Sequence, residues 1–172
     1  MKICFRIRPW YLVAAIFCLS VVLIPSANAE VIKVVAQVRG MACPFCAYGI
    51  EKKLKKVSGV RSVDIDIQKG LATLRAIEGQ SIAFDQVPRA IKDAGFTSDR
   101  ITVTALGKIA SDKGGILVFR LEHQNFIFYI TDPSGRATQY RDTGKDVEVT
   151  GTASHKDGGR WIIEVERIEE IK

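Results

Sequence analysis

The feature that most constrains this chain is a change of hydrophobic period, repeated in a fixed order between Glu30 and Ala105. Val34, Ala36 and Val38 alternate with Lys33, Gln37 and Arg39, the period-two pattern of a half-buried strand. Ala47, Ile50, Leu54 and Val57 then recur at helical spacing, with Glu51, Lys52, Lys53, Lys55 and Lys56 on the other face and Gly59 ending the run. Val63, Ile65 and Ile67 alternate with Asp64 and Asp66; a Lys69-Gly70 turn follows; Ala72, Leu74 and Ala76 alternate again, so this stretch reads as a hairpin. Phe84, Val87, Ile91 and Ala94 mark a second helix, with Asp85 as its expected N-cap, Pro88 in its first turn and Gly95 at its C-terminal cap. Ile101 and Val103 close the series. The order strand, helix, strand, strand, helix, strand predicts a ferredoxin-like βαββαβ sandwich, both helices covering one face of a four-stranded sheet.

The remainder, 106–172, has no helical stripe. Leu117, Phe119 and Leu121 alternate, as do Phe126, Phe128 and Ile130, then Val147 and Val149, then Trp161, Ile163 and Val165. Turn residues at Asp132-Pro133-Ser134-Gly135 and Lys156-Asp157-Gly158-Gly159 punctuate them. The reading is a small all-β barrel with a weak resemblance to the OB fold, carried by the last two strands. The fold class is therefore α+β, and the last strand of the first unit is expected to run directly into the first of the second.

The first 29 residues read as a leader. Lys2, Arg6 and Arg8 precede an uncharged apolar run from Trp10 to Ile24, and Ala27-Asn28-Ala29 offers a cleavage site before Glu30. The run is too short for a retained membrane anchor. Its removal takes the basic residues from 25 to 22 against 19 acidic ones, so the net charge falls from +6 to +3. A balance so near neutral, in an exported chain, argues against a nucleic-acid partner. The expected localisation is periplasmic.

Export also removes Cys4 and Cys18, leaving Cys43 and Cys46 as the only thiols. A disulfide framework uses pairs at long spacing, because closing a longer loop constrains the unfolded chain more. A two-residue gap points instead to thiol chemistry or metal binding. Pro44 suits the first helical position, which makes Cys43 the expected N-cap and puts Cys46 in the first turn, both beside backbone amides that stabilise thiolates. Arg39, Lys52, Lys53 and Arg61 are candidates for added positive potential, the two lysines being better read as a solvated helix face.

Gly40-Met41-Ala42-Cys43-Pro44-Phe45-Cys46, a helix, Val57-Ser58-Gly59-Val60 and Asp93-Ala94-Gly95-Phe96 together resemble the heavy-metal-associated domain family. That family includes copper chaperones, modules of copper-pumping ATPases and the periplasmic mercuric-ion-binding protein. The resemblance implies that Cys43 and Cys46 are metal ligands, that the chain is a metallochaperone rather than an enzyme, and that its partner is a metal-transporting membrane protein or another periplasmic metal-binding protein. Soft thiolates select Cu(I) first and Hg(II) second, while Zn(II) needs more ligands than the chain offers. His123 and His155 read as ordinary turn residues. Met41 is expected in the core rather than as a third soft ligand, Phe96 near the metal loop as shield or packing, and Phe45 as an exposed docking contact.

Two rival classes compete. Cys-Pro-Phe-Cys also suits a thiol-disulfide oxidoreductase with Cys43 attacking, although Pro88 opens a helix where a thioredoxin-like domain would open a strand. A structural adaptor, its β domain holding a partner or oligosaccharide, is the other.

Overall fold

The computed structural model describes residues 30–121, 126–156 and 159–171. The predicted leader, His123 and part of the Lys156–Gly159 turn lie outside the described residues. The first half contains β1 (Val31–Arg39), α1 (Pro44–Leu54), β2 (Val60–Asp66), β3 (Leu71–Ala76), α2 (Val87–Asp93) and β4 (Thr97–Ser111). The second contains β5 (Leu117–Leu121), β6 (Phe126–Thr131), β7 (Val147–Lys156) and β8 (Arg160–Glu170).

Strands β2-β3-β1-β4 form an antiparallel sheet in that order, the ferredoxin-like arrangement. Alternation decides which face is covered. Val34, Ala36 and Val38 of β1, Ala72 and Leu74 of β3, and Ile101 and Val103 of β4 are all buried, and so are Ala47, Ile50 and Leu54 of α1 and Val87 and Ile91 of α2. Apolar stripes of period 3.6 on the helices thus meet apolar stripes of period two on the strands.

The second helix starts differently from expectation. An N-cap needs extended backbone so that its side chain can reach back to the first amides. Here a 3₁₀ turn, Phe84–Gln86, leads into α2, and Gln86 already has helical angles, φ −81 and ψ −19. Asp85 lies within that turn and caps nothing. At the other end, Gly95 N–H donates to Lys92 O at 2.8 Å and Phe96 N–H to Ile91 O at 3.1 Å, the paired bonds of a Schellman stop. Strand β2 ends at Asp66, one residue before Ile67, because the Asp66 carboxylate takes the Lys69 amide at 3.0 Å and turns the chain there.

Strand β4 is the joint between the halves. Its Thr97–Ala105 stretch pairs with β1, its Lys108–Ser111 stretch with β5, and Ile101–Gly107 pairs with β7 along the opposite edge. The sheet then runs β4-β5-β6-β8-β7 and returns to β4, with β6 and β8 parallel, so these five strands form a closed barrel. A barrel of this size is filled by its own side chains. Ile109, Phe119, Leu121, Phe128, Val147, Val149 and Ile163 fill it, continuous with the helical layer as a single core. Gly107 sits where β4 changes partner: a Cβ there would lie 2.3 Å from Arg120 O. Only glycine permits that approach.

Phe84 ties the layers together. Its ring is 4.5 Å from Trp161, 5.2 Å from Phe128 and 5.9 Å from Phe126, centroid to centroid, so the turn before α2 is packed against aromatic rings from β6 and β8.

Candidate metal site

The loop between β1 and α1 is built by four backbone decisions. Gly40 adopts φ +80, with open space around its α-carbon, so backbone conformation alone calls for glycine. The Ala42 amide then bonds Gly40 O at 3.0 Å and turns the chain. Cys43 is extended, φ −137 and ψ 152, and is the N-cap of α1; its Sγ accepts the Cys46 amide at 3.1 Å, and its carbonyl accepts the first helical bond, from Ala47, at 3.0 Å. Pro44 stands in the first turn, where a missing N–H costs nothing.

Both sulfurs therefore lie at the positive end of a helix whose first turn contains no acidic residue. Unpaired amides there favour negative charge, and a thiolate is the sulfur form that gains. In this structure Cys43 and Cys46 are joined as a disulfide, Cα to Cα 5.2 Å. Two electrons and two protons convert that bond to two thiols, and their deprotonation supplies two soft anionic donors side by side. Both cysteines are half-buried, and Phe45 between them is 88% exposed.

The neighbours fall into clear roles. Met41 is 4% exposed and belongs to the core, so its thioether packs beneath the loop. Phe96 is half-buried against the core, one residue beyond the Arg39–Thr97 pair, which sets it at the rim of the loop. Arg39 is not a free charge near the sulfurs. It makes a two-pronged bond to Asp99, Nε to Oδ2 at 3.1 Å and Nη2 to Oδ1 at 2.8 Å; the bonded carboxylate raises the arginine's pKa, and the guanidinium lowers that of Asp99. The pair is exposed and fixes β1 against β4 with little net energy. Lys52 and Lys53 lie in the last turn of α1, at the opposite end from the cysteines, where they complement the helix C-terminus. Arg61 is exposed on β2.

His155 is exposed on β7, its ring edge-on to Trp161 at 4.9 Å. No group of three or more His, Cys, Asp or Glu side chains able to hold a metal occurs among the described residues. Among the described residues, the two cysteines are the predicted ligands that lie together. Tyr48, 65% exposed one turn along α1 from Phe45, joins that surface and was not singled out by sequence; its position four residues after Pro44 on the polar side of the stripe was the available signal.

Residues 35–97 match the family model of the heavy-metal-associated domain. The copper chaperone CopZ of Staphylococcus aureus (strain JH9) is 29% identical over 62 residues, 36% of this chain and 90% of that protein. The cation-transporting P-type ATPase B of Mycobacterium leprae (strain TN) is 30% identical over 85 residues, 49% of this chain but only 11% of that protein. Among solved structures, a CopZ metallochaperone is 27% identical, covering 39% of this chain and 98% of its own with a TM-score of 0.36. Oxidized MerP from Ralstonia metallidurans CH34 is 28% identical, covering 39% and 92% with a TM-score of 0.35.

Proposed function

We propose that this chain, which carries a heavy-metal-associated domain at residues 35–97, is an exported metal carrier that holds a soft ion, Cu(I) before Hg(II), on the thiolates of Cys43 and Cys46. The observation that carries the reading is the helix start itself: Cys43 at the N-cap with its sulfur 3.1 Å from the Cys46 amide, both sulfurs in a field that favours thiolate. Two donors in one loop suit a two-coordinate d10 ion, whereas Zn(II) needs ligands from elsewhere.

The carrier works by ligand exchange. A partner thiolate or thioether attacks the bound ion, a three-coordinate intermediate forms, and one of the chain's thiolates leaves. The half-buried Cys43 and Cys46 and the exposed Phe45 and Tyr48 beside them leave room for that approach. Likeness to copper chaperones and to a cation-transporting P-type ATPase supports a metal-transporting membrane protein, or a second metal-binding protein, as the partner. The proposed role is that of a carrier rather than an enzyme. The periplasm is its proposed compartment. We assign 30–105 to the metal domain and 106–172 to an OB-like barrel that is closed through Ile101–Gly107 of the shared strand β4; five-strand closure with one parallel pair supports the OB-like reading.

The disulfide favours a second reading, a thiol-disulfide oxidoreductase, in which Cys43 attacks a substrate disulfide and Cys46 resolves it. Competition among Cu(I), Hg(II) and Zn(II) for the reduced protein, with thiols counted before and after, separates the two. One equivalent of Cu(I) protecting both thiols supports the carrier. Weak binding of every ion, together with turnover of disulfide substrates, supports the oxidoreductase.

A further inference from the structure

The outer face of the barrel carries a row of cations in which the strand register sets like charge opposite like charge. Phe119, Phe128 and Ile163 point inward and are fully buried, so Arg120, Ile127 and Ile162 beside them take the outer face, where Val118, opposite Tyr129, is also fully buried. Register then sets Lys108 opposite Arg120, Arg120 opposite Ile127, and Lys156 opposite Arg160. Tyr129 faces Ile162 in the parallel pair, so Ile127 and Arg160, two residues earlier on each strand, fall side by side. The row across β4, β5, β6, β8 and β7 is thus Lys108, Arg120, Ile127, Arg160, Lys156.

Like charges directly opposite one another destabilise a sheet, and this row holds two such pairs. Lys108 has Asp146 at 4.0 Å. Arg120 attracts Asp142 without a salt bridge, and no carboxylate among the described residues pairs with Lys156 or Arg160. Arg160 lies over the Tyr129 ring, 5.3 Å from its centroid. Two aliphatic side chains are exposed nearby: Ile127 within the row, 39% exposed, and Ile116 in the β4–β5 turn, 48% exposed, a turn that also exposes Lys113.

We propose that this face docks the barrel onto an anionic phospholipid surface. Clustered cations gain from the negative potential of such a surface, and flanking isoleucines bury apolar area at the headgroup boundary. Single-stranded nucleic acid is the poorer fit, because it stacks on open aromatic faces and Arg160 already covers that of Tyr129. The metal loop lies at the far end of β4, where Arg39 pairs with Thr97, eleven residues from Lys108, or up to about 36 Å of strand. Docking through the barrel therefore leaves the cysteines accessible.

The test is vesicle co-sedimentation of the chain starting at Glu30, since every element of the fold lies within 30–171. Vesicles of phosphatidylcholine are compared with equal mixtures of phosphatidylcholine and phosphatidylglycerol. Binding is expected only to the mixed vesicles and should fall as salt shortens the screening length from about 10 Å to about 3 Å. Arg120→Gln and Lys156→Gln should each weaken it about fivefold, the equivalent of about 1 kcal/mol, and R120Q/K156Q/R160Q about a hundredfold, with an unchanged far-UV spectrum. Arg120→Lys should restore it, and Cys43→Ser/Cys46→Ser should leave it intact. Absence of binding to mixed vesicles at low salt, single variants that bind as the parent does, or preference for a single-stranded oligonucleotide or polyglutamate over mixed vesicles in competition would each overturn the proposal.

Discussion

Phe84→Ala is the perturbation that probes how the two halves of this chain depend on each other. The side chain is 2% exposed and meets three rings, Trp161, Phe128 and Phe126, within 6 Å of its centroid. Truncating a buried phenylalanine to alanine costs about 3–5 kcal/mol through lost transfer energy and the cavity left behind. The two edge-on contacts, with Trp161 and Phe126, each worth about 0.5–1.5 kcal/mol beyond area, put Phe84 toward the upper part of that range. A domain of this size holds about 5–15 kcal/mol in all, so about 4 kcal/mol is a large share. Urea unfolding of the chain from Glu30 is the assay, followed in parallel by far-UV circular dichroism and by the fluorescence of Trp161, which is then the sole tryptophan. Because β4 belongs to both halves and the core is continuous, both probes should give one coincident transition, shifted together in the variant. A loss below about 1 kcal/mol, or a fluorescence transition that separates from the circular dichroism in the parent protein, would refute the packing argument.

Gly107→Ala should destabilise by about 1–3 kcal/mol, measured by the same urea titration, since its methyl group would meet Arg120 O at 2.3 Å and backbone must move. Asp142, like Asp66, Asp99 and Asp132, contributes to acid sensitivity: its carboxyl is held below its ordinary 3.8 by the amide and hydroxyl of Ser111. Its folded pKa lies below the unfolded one, so its stabilisation is complete above the unfolded value and is lost as pH falls through the folded value. The urea midpoint should drop on acidification below about pH 4, and Asp142→Asn should flatten that drop while lowering the midpoint at neutral pH. Gly40→Ala should destabilise the apo protein by about 1–2 kcal/mol, read as a lower melting temperature, because φ +80 is costly for any residue with a Cβ.

The parts of this structure that were readable in sequence are those governed by local period and local chemistry. Ile50, Leu54, Val87 and Ile91 announce their burial by spacing alone, and Cys43 announces its N-cap role through Pro44 behind it. The start of α2 was misread because Asp85 has the right chemistry at the right place, while the backbone enters through a 3₁₀ turn that no side chain advertises. Arg39 looked like a free cation near the thiols because its partner, Asp99, is sixty residues away and meets it only through the β1–β4 register. Phe84 likewise reads as an ordinary helix-flanking apolar residue; its contacts with Phe126, Phe128 and Trp161 exist only once the barrel closes. The basic row on the barrel was invisible for the same reason, since its cations come from four strands.

The central claim is that two thiolates at one helix start hold the metal, and stoichiometric titration tests it most directly. Reduced protein and its Cys43→Ser/Cys46→Ser counterpart are titrated anaerobically with Cu(I) against a competing chelator. Serine is a good N-cap, so the double variant should keep the fold and its far-UV spectrum. The account predicts one tightly bound Cu(I) in the parent and none in the variant; tight stoichiometric binding that survives loss of both sulfurs would contradict it.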